Sequence, residues 1–307
     1  MAHDGRYAPS PTGELHLGNL RTALLAWLFA RSAGSRFLLR VEDLDVGRVR
    51  ERYVGVQLGD LRAIGLDWDG EVVRQSRRAA LYAEALGRLT RAGRVFRCFC
   101  SRREVREAAS AQHGEAPEGF YPGTCLALSE AESARRAGAG EAFALRMRAE
   151  GAEVRVDDRL HGERAGRVDD IVLRRRDGVF AYNLAVVVDD AEQGVAEVVR
   201  GDDLLASTGA QALLCDLIGL RRPTWAHVPL VLGPDGARLA KRHGAVTLRD
   251  LAASGRSAAD AVSWMAASLA LAEEGERVEA ADLVTRFDPA LLPSEPTHFG
   301  EADPDSA

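Results

Sequence analysis

Residues 5–19 read GRYAPSPTGELHLGN and run directly into the apolar segment 20–30, LRTALLAWLFA. The two prolines and the glycine of PSPTG predict a rigid turn between an extended start and a helix. The first N–H groups of a helix have no partner inside it and carry the positive end of its dipole, so this junction is suited to bind an anion. His16 supplies a ring donor there, and Gly18 leaves space for a ligand to approach the backbone. An ordinary turn and cap before a core helix is the alternative for His16–Asn19 taken alone.

The composition is that of a folded protein. The chain has 307 residues, of which 46% are hydrophobic and 28% charged, and its length predicts about two domains. The formal net charge of −6 argues against nonspecific binding of nucleic acid, so any RNA contact must come from local basic patches. The arginine-rich stretches that could serve, and that are otherwise solvated surface, are Arg102, Arg103 and Arg106; Arg174–Arg176; and Arg221 with Arg222.

Several features predict a soluble cytoplasmic protein. The first ten residues, MAHDGRYAPS, lack the apolar core of a secretory signal, and the longest apolar run, Ala23–Ala30, is too short to cross a bilayer. Three cysteines cluster between residues 98 and 125, whereas Cys215 stands apart. This spacing favours a metal site in a reducing compartment over a disulfide framework.

Alternating strand and helix patterns predict the fold class α/β, with a doubly wound parallel sheet. The segment 37–41, FLLRV, reads as a buried strand and is followed at once by Glu42. A carboxylate at the carboxyl end of a parallel strand lies at the ligand-binding edge of the sheet. The predicted helices are 50–64, 77–92, 203–219, 247–254 and 257–271, and strand patterns resume at 170–173, 196–201 and 227–232.

The alternation breaks near Arg94. The following residues hold the three clustered cysteines and two segments, 143–148 and 154–156, that alternate like antiparallel strands. Thiolates are suitable ligands for Zn²⁺, and on chemical grounds water or His113 would be the fourth ligand; free reduced thiols are the alternative. We therefore expect the first half of a catalytic domain at 1–93, a zinc-containing insertion at 94–165, the second half of the catalytic domain at 166–245, and a small helical C-terminal region with a loose tail at 246–307.

A basic motif, Arg238-Leu-Ala-Lys241-Arg242, follows the tight turn Gly233-Pro-Asp-Gly236. Lys241 is the only lysine among 40 lysine and arginine residues, and its compact ammonium group differs chemically from a guanidinium group. A glycine-flanked loop with three basic residues is suited to grip a triphosphate, whereas taken alone it is also typical of a solvated turn.

The two motifs together resemble the nucleotide-binding signatures of class I aminoacyl-tRNA synthetases, and RYAPSPTG resembles the glutamyl branch of that family. The basic motif departs from the family pattern at Arg238, where lysine is usual, and at Ala240, where serine is usual. The resemblance implies a Rossmann-like catalytic domain in which an amino-acid carboxylate attacks the α-phosphate of ATP, with Mg²⁺ accompanying the ATP. The implied catalytic residues are His16 and Lys241, and the implied ATP-binding residues are Pro9, His16, Gly18, Asn19, Arg238, Lys241 and Arg242.

The same resemblance implies a site for L-glutamate. A guanidinium group pairs with a carboxylate through two parallel hydrogen bonds, so Arg6 and Arg200 are suited to the acidic side chain. Glu42 is suited to the ammonium group, although ion pairs at strand ends are the alternative. The implied glutamate-binding residues are Arg6, Tyr7, Ala8, Pro9, Ser10, Glu42, Tyr182 and Arg200. The implied ligands of one structural zinc ion are Cys98, Cys100, Tyr121 and Cys125.

The segment after Gly244 is too short for the anticodon-binding region of a full glutamyl-tRNA synthetase. The chain most resembles a truncated branch of that family, whose members transfer glutamate to queuosine in the anticodon loop of tRNA(Asp). We therefore expect L-glutamate, ATP and queuosine-containing tRNA(Asp) as the partners of a monomeric enzyme. The alternatives are a truncated glutamyl-tRNA synthetase that acylates the 3′ end of tRNA(Glu), and a catalytically inactive RNA-binding module.

Overall fold

The computed structural model describes residues 4–111, 120–239 and 246–300. The helices are α1 Leu17–Ser32, α2 Glu51–Ala63, α3 Ala79–Arg91, α4 Arg102–Ala111, α5 Glu130–Gly138, α6 Tyr182–Glu192, α7 Thr208–Ile218, α8 Leu248–Ala253, α9 Ala258–Ser268 and α10 Ala280–Leu283. The strands are β1 Gly5–Tyr7, β2 Phe37–Val41, β3 Val73–Arg74, β4 Val95–Cys98, β5 Ala144–Met147, β6 Glu153–Asp158, β7 Gly162–Arg167, β8 Val172–Arg174, β9 Glu197–Gly201, β10 Thr224–Val228, β11 Val231–Leu232 and β12 Thr297–His298.

Two groups of parallel strands form the main sheet. In the first group β1 pairs with β2 and β2 with β3, all parallel; in the second β10 lies between β9 and β6, again parallel, and β7 adds antiparallel to β6. The groups meet at the carbonyl of Asp4, which accepts a hydrogen bond of 2.9 Å from the backbone N–H of Ala196. Parallel strands with connecting helices confirm the predicted α/β class.

Two hydrophobic clusters form between this sheet and the helices packed on it. α1 is buried along most of its length, because its residues are apolar on every side, and it forms the centre of the first cluster. α3, α6 and α7 bury apolar faces in the second. The start of α1 is thereby fixed against the carboxyl ends of β1 and β9. Within the described ranges, no helix is long and apolar enough to cross a membrane.

The residues around the cysteines form a small antiparallel sheet of order β4-β5-β8. The two strands predicted at 143–148 and 154–156 exist as β5 and β6, but β6 belongs to the main sheet. β8, from the segment predicted to resume the main sheet, pairs with β5 instead. Strand patterns alone do not specify partners, which explains this difference. The four-part division of the chain stays a prediction.

The C-terminal segment differs from its prediction. The expected loose tail is wrong for residues 287–300, because β12 pairs in parallel with β11 and the Phe287 ring lies 5.0 Å from that of Phe29. Thr297 and Phe299 donate backbone hydrogen bonds to Leu230 and Leu232. Proline and acidic residues in this segment suggested disorder, whereas its few apolar residues and its backbone anchor it.

Phe287→Ala should therefore lower the free energy of unfolding by about 3 kcal/mol, because it removes a buried ring from the first cluster. Urea denaturation measures this change. Leu291→Ala is the matched control: its side chain is 73% exposed, so its substitution should cost less than about 0.5 kcal/mol. If both substitutions changed the free energy of unfolding by the same small amount, residues 287–300 would not contribute to the core.

Candidate active site

A cavity of about 700 Å³ opens at the carboxyl ends of β1, β2 and β9. The loop that follows β1 forms one wall, and Gln57 of α2 holds this loop in place. The amide nitrogen of Gln57 donates to the carbonyl oxygens of Ser10 and Gly13, at 3.1 and 2.7 Å. The proline-containing turn predicted from the sequence is thus fixed by a side chain from another element.

His16 is the N-cap of α1. Its ring Nδ1 accepts the backbone N–H of Asn19, and the Asn19 side-chain oxygen accepts the backbone N–H of His16, both at 3.3 Å. Because Nδ1 is an acceptor in this capping box, the proton of the neutral ring is on Nε2. The imidazole therefore has an N–H that is free of the capping interaction.

The His16 ring is neutral at physiological pH. Burial, with a smaller contribution from the positive charge of Arg238, lowers the pKa of His16 to about 4. His16 can therefore act as a neutral hydrogen-bond donor at the positive end of the α1 dipole.

Gly18 also has a packing role besides the one predicted. A Cβ at this position would lie 3.1 Å from the His16 ring and 3.3 Å from the Cβ of Val231. The glycine therefore makes room for the His16 ring and for β11. The approach of a ligand to the Gly18 backbone stays a prediction.

The structure brings the described part of the predicted ATP set to this one cavity. Arg238 reaches it from the turn after β11, and its Nη1 lies 2.6 Å from Asp203 Oδ2. Lys241 and Arg242 lie outside the described residues. The lining residues from the predicted set are Pro9, His16, Gly18, Asn19 and Arg238.

The cavity is also lined by all eight residues of the predicted glutamate set. They come from β1 and its loop, from the end of β2, from the start of α6 and from β9. The eight are Arg6, Tyr7, Ala8, Pro9, Ser10, Glu42, Tyr182 and Arg200.

A buried ionic network supports this part of the cavity. Arg6 donates to both oxygens of Asp190, at 3.1 and 3.5 Å, and Arg40 donates to the same carboxylate at 2.7 Å. Arg40 also lies 3.5 Å from Glu42. In the part of the chain that the structure describes, the network places four guanidinium groups against three carboxylates. Arg6, Arg40 and Arg78 form ion pairs with Glu42, Asp189 and Asp190. Arg200 is the fourth guanidinium group: it is near enough to Asp190 to sense its charge but forms no ion pair with it.

Two members of the network are in unusual electrostatic environments. Burial raises the pKa of Glu42 to about 7, although the neighbouring Arg40 and Arg6 oppose the shift. Burial also lowers the pKa of Arg200, against the opposing effect of Tyr182. Within the described ranges, the hydrogen bonds of the Arg200 side chain go to neutral acceptors. The acceptors are His227, Gln211, Thr208, the Leu204 carbonyl and the Tyr182 hydroxyl.

A second, larger cavity of about 1030 Å³ adjoins the first and shares Ser10, Glu42 and Tyr182 with it. It extends toward the small sheet and α4. Its basic lining residues are Arg102, Arg146, Arg175 and Arg176.

The three clustered cysteines form a compact group beside this second cavity. The sulfur atoms of Cys98, Cys100 and Cys125 lie within 4.8 Å of one another, and those of Cys100 and Cys125 are 3.5 Å apart. Tetrahedral Zn²⁺ with Zn–S bonds of about 2.3 Å needs sulfur atoms about 3.8 Å apart. The Tyr121 hydroxyl lies 3.4 Å from the Cys98 sulfur. The donor set therefore fits a thiolate-bound metal, and Tyr121 is close enough to be the fourth ligand.

Sequence reasoning missed the supporting residues. Asp190 contacts Arg6 from a position remote in the chain, and it also joins Arg6 to Arg40, which lies beside Glu42. The only available signal was a polar residue inside an apolar run, as with the aspartates after Val186–Val188 and with His227 in β10.

Comparisons with known proteins identify the family of this chain. The family described as tRNA synthetases class I (E and Q), catalytic domain, matches residues 4–274. A glutamyl-Q tRNA(Asp) synthetase from Nocardia farcinica is 59% identical, with 95% of this chain and 91% of the relative covered. One from Symbiobacterium thermophilum is 47% identical, with 96% and 95% covered.

A solved glutamate tRNA ligase from Elizabethkingia meningosepticum, in complex with its amino acid, superposes with a TM-score of 0.84 at 26% identity. The match covers 98% of this chain and 67% of the ligase. The chain therefore belongs to the class I tRNA synthetases of the glutamate and glutamine type, and within them to the family of the glutamyl-Q tRNA(Asp) synthetases.

Proposed function

We propose that this protein activates L-glutamate with ATP and transfers the glutamyl group to queuosine in the anticodon loop of tRNA(Asp). The observation that carries the proposal is the convergence of two residue sets on one cavity. The start of α1 and Arg238 line this cavity together with Arg6, Glu42 and Arg200. An amino acid and a nucleotide can meet there.

Activation needs positioning and fixed positive charge. The glutamate α-carboxylate attacks the α-phosphorus of ATP, and pyrophosphate leaves as negative charge develops on the phosphate oxygens. The Nε2–H of His16 and the N-terminus of α1 are suited to stabilise that charge, with Arg238 beside them. Lys241 and Arg242 would add charge from the basic loop, and Mg²⁺ would enter with ATP.

The charge of the network supports glutamate as the amino acid. Four guanidinium groups against three carboxylates leave one positive charge, which the γ-carboxylate of glutamate would balance. Arg200 meets neutral acceptors among the described residues, so its charge is available to the substrate. Glu42 would pair with the α-ammonium group, and Tyr182 would donate a hydrogen bond. Neutral glutamine would leave the positive charge unbalanced.

Pyrophosphate exchange tests the activation step. Glutamate should drive incorporation of labelled pyrophosphate into ATP without tRNA, and glutamine and aspartate should do so far less. Exchange with none of the amino acids would favour the inactive RNA-binding module. The cytoplasmic location and the monomeric state stay predictions from the sequence.

We also propose that the acceptor reaches the adenylate through the larger cavity, since that cavity adjoins the first at Glu42 and Tyr182 and is lined by four arginines. A hydroxyl of the queuosine cyclopentene-diol would attack the glutamyl carbonyl, and AMP would leave. Guanidinium groups in the cavity are suited to the RNA phosphates.

We propose Zn²⁺ as the ion of the cysteine group, with Tyr121 as the fourth ligand. When bound, it would link β4 to the loop that carries Cys125 and so stabilise the small sheet. Cys98→Ser should remove the metal found by elemental analysis and lower the melting temperature by roughly 5 °C. Cys215→Ser is the matched control, because this buried cysteine of α7 lies outside the group and its substitution should leave the metal bound. Unchanged zinc in Cys98→Ser would refute the site.

Glutamate binding should depend on pH through Glu42. The carboxylate form holds the ammonium group, so protonation below the pKa of about 7 should raise the KM for glutamate up to about tenfold per pH unit. In Glu42→Gln the KM should be high and independent of pH between 5.5 and 8. A flat profile in the unmodified protein would contradict this role. The charged or titratable groups that influence Glu42 are Arg6, Tyr7, Arg40, Tyr182, Asp189 and Asp190.

A further inference from the structure

Three polar side chains form a row across the carboxyl ends of β9, β10 and β6. Arg200 and His227 are register partners on adjacent parallel strands, and Asp158 is the last residue of β6. Arg200 Nε lies 2.9 Å from His227 Nε2, and His227 Nδ1 lies 2.6 Å from Asp158 Oδ2. His227 is fully buried and Asp158 is 2% exposed.

The hydrogen bonds fix the tautomer of His227. A guanidinium group only donates, so Nε2 of His227 must be an acceptor, and Nδ1 then carries the proton and donates it to Asp158. Burial lowers the pKa of His227, although the hydrogen bond to Asp158 opposes the shift, which is consistent with a neutral ring. Asp158 is held in turn by the backbone N–H groups of Leu160 and His161, both at 3.0 Å.

We propose that His227, oriented by Asp158, is a positioning residue that aims Arg200 at the carboxylate of glutamate without neutralising its charge. A carboxylate placed directly on Arg200 would form a closed ion pair and compete with the substrate. The neutral His227 ring instead accepts the Nε–H of Arg200 and separates the guanidinium group from the Asp158 carboxylate. Thr208 and Gln211 fix the two other guanidinium nitrogens, at 2.9 and 2.7 Å. This inference rests on the proposed activation of glutamate at the same cavity.

Glutamate-dependent pyrophosphate exchange by the unmodified protein comes first, because its absence would refute the proposed function itself. Given exchange, His227→Leu should raise the KM for glutamate about tenfold or more and leave the KM for ATP within about twofold. His227→Gln should stay within about threefold of the unmodified protein, because its side-chain oxygen can take the position of Nε2. This rescue separates positioning from general stability.

Val228→Ala is the control for a destabilised β10, since Val228 is buried in the strand that carries His227 and its apolar side chain has no polar contact with Arg200. It should leave both KM values unchanged. If His227→Leu does not fold, His227→Asn replaces it: this shorter amide cannot reach Arg200 and should raise the KM for glutamate where the Gln variant does not. An unchanged KM for glutamate in the Leu or Asn variant, or equal rises for glutamate and ATP, would overturn the inference while the proposed function stands.

Discussion

His16→Ala should reduce the kcat of glutamate-dependent pyrophosphate exchange by about 100-fold while changing the KM for glutamate little. The reason is that the ring Nε2–H is suited to the charge that develops on the phosphate, and loss of one such donor typically costs 10²–10³-fold, roughly 3–4 kcal/mol. Steady-state exchange at saturating ATP measures the effect. An unchanged kcat would remove His16 from the mechanism.

His16 also caps α1, so alanine alone does not separate the two roles. Alanine at the N-cap costs about 1 kcal/mol of stability. His16→Asn retains an acceptor for the Asn19 N–H but has no donor at the position of Nε2. We therefore expect the Asn variant to be as stable as the unmodified protein in urea and nearly as slow as the Ala variant. Full activity of the Asn variant would mean that only the cap matters.

Arg200→Met should raise the KM for glutamate about 100-fold, because the substrate carboxylate would lose a desolvated charge partner worth roughly 3 kcal/mol. The KM for ATP should change less than about threefold. Among the described residues, Arg200 donates its hydrogen bonds to neutral acceptors. Its removal therefore leaves none of the described carboxylates without an ion-pair partner, and the variant should remain folded. Circular dichroism and kinetics on the same preparation check both statements. A rise in KM for ATP as large as that for glutamate would contradict the assignment.

Arg6→Met provides a useful contrast. Arg6 lies against Asp190, so its removal leaves that buried carboxylate with Arg40 as its remaining ion-pair partner. We expect weaker glutamate binding here too, together with a clear loss of stability. The comparison separates the arginine that supports the network from the one that is open to substrate.

Local sequence patterns predicted much of the fold. The apolar run after His16, the buried strand before Glu42 and the helices at 50–64 and 77–92 each follow from residues close together in the chain, and the structure confirms them. The pairing of the strands could not be predicted from these local patterns. β5 and β6 have similar alternating patterns, and only tertiary packing places β6 beside β10. The packing of residues 287–300 could not be predicted for the same reason, because Phe287 contacts Phe29, which lies near the other end of the sequence.

The same distinction applies to the residues of the active site. Glu42 and Arg200 could be proposed because each ends a parallel strand, and the ends of such strands meet at one edge. His227 and Asp190 could not, because their roles come from contacts with Arg200 and Arg6 in space. The packing role of Gly18 cannot be predicted from the sequence either, because it depends on the position of the His16 ring in space.

Transfer of labelled glutamate to purified tRNA identifies the acceptor of this protein. We expect the protein to glutamylate tRNA(Asp) that contains queuosine, and the label to stay with the anticodon loop after nuclease digestion. Unmodified tRNA(Asp) and tRNA(Glu) should not be labelled. Labelling of the 3′ end of tRNA(Glu), or of tRNA(Asp) that lacks queuosine, would refute queuosine as the acceptor.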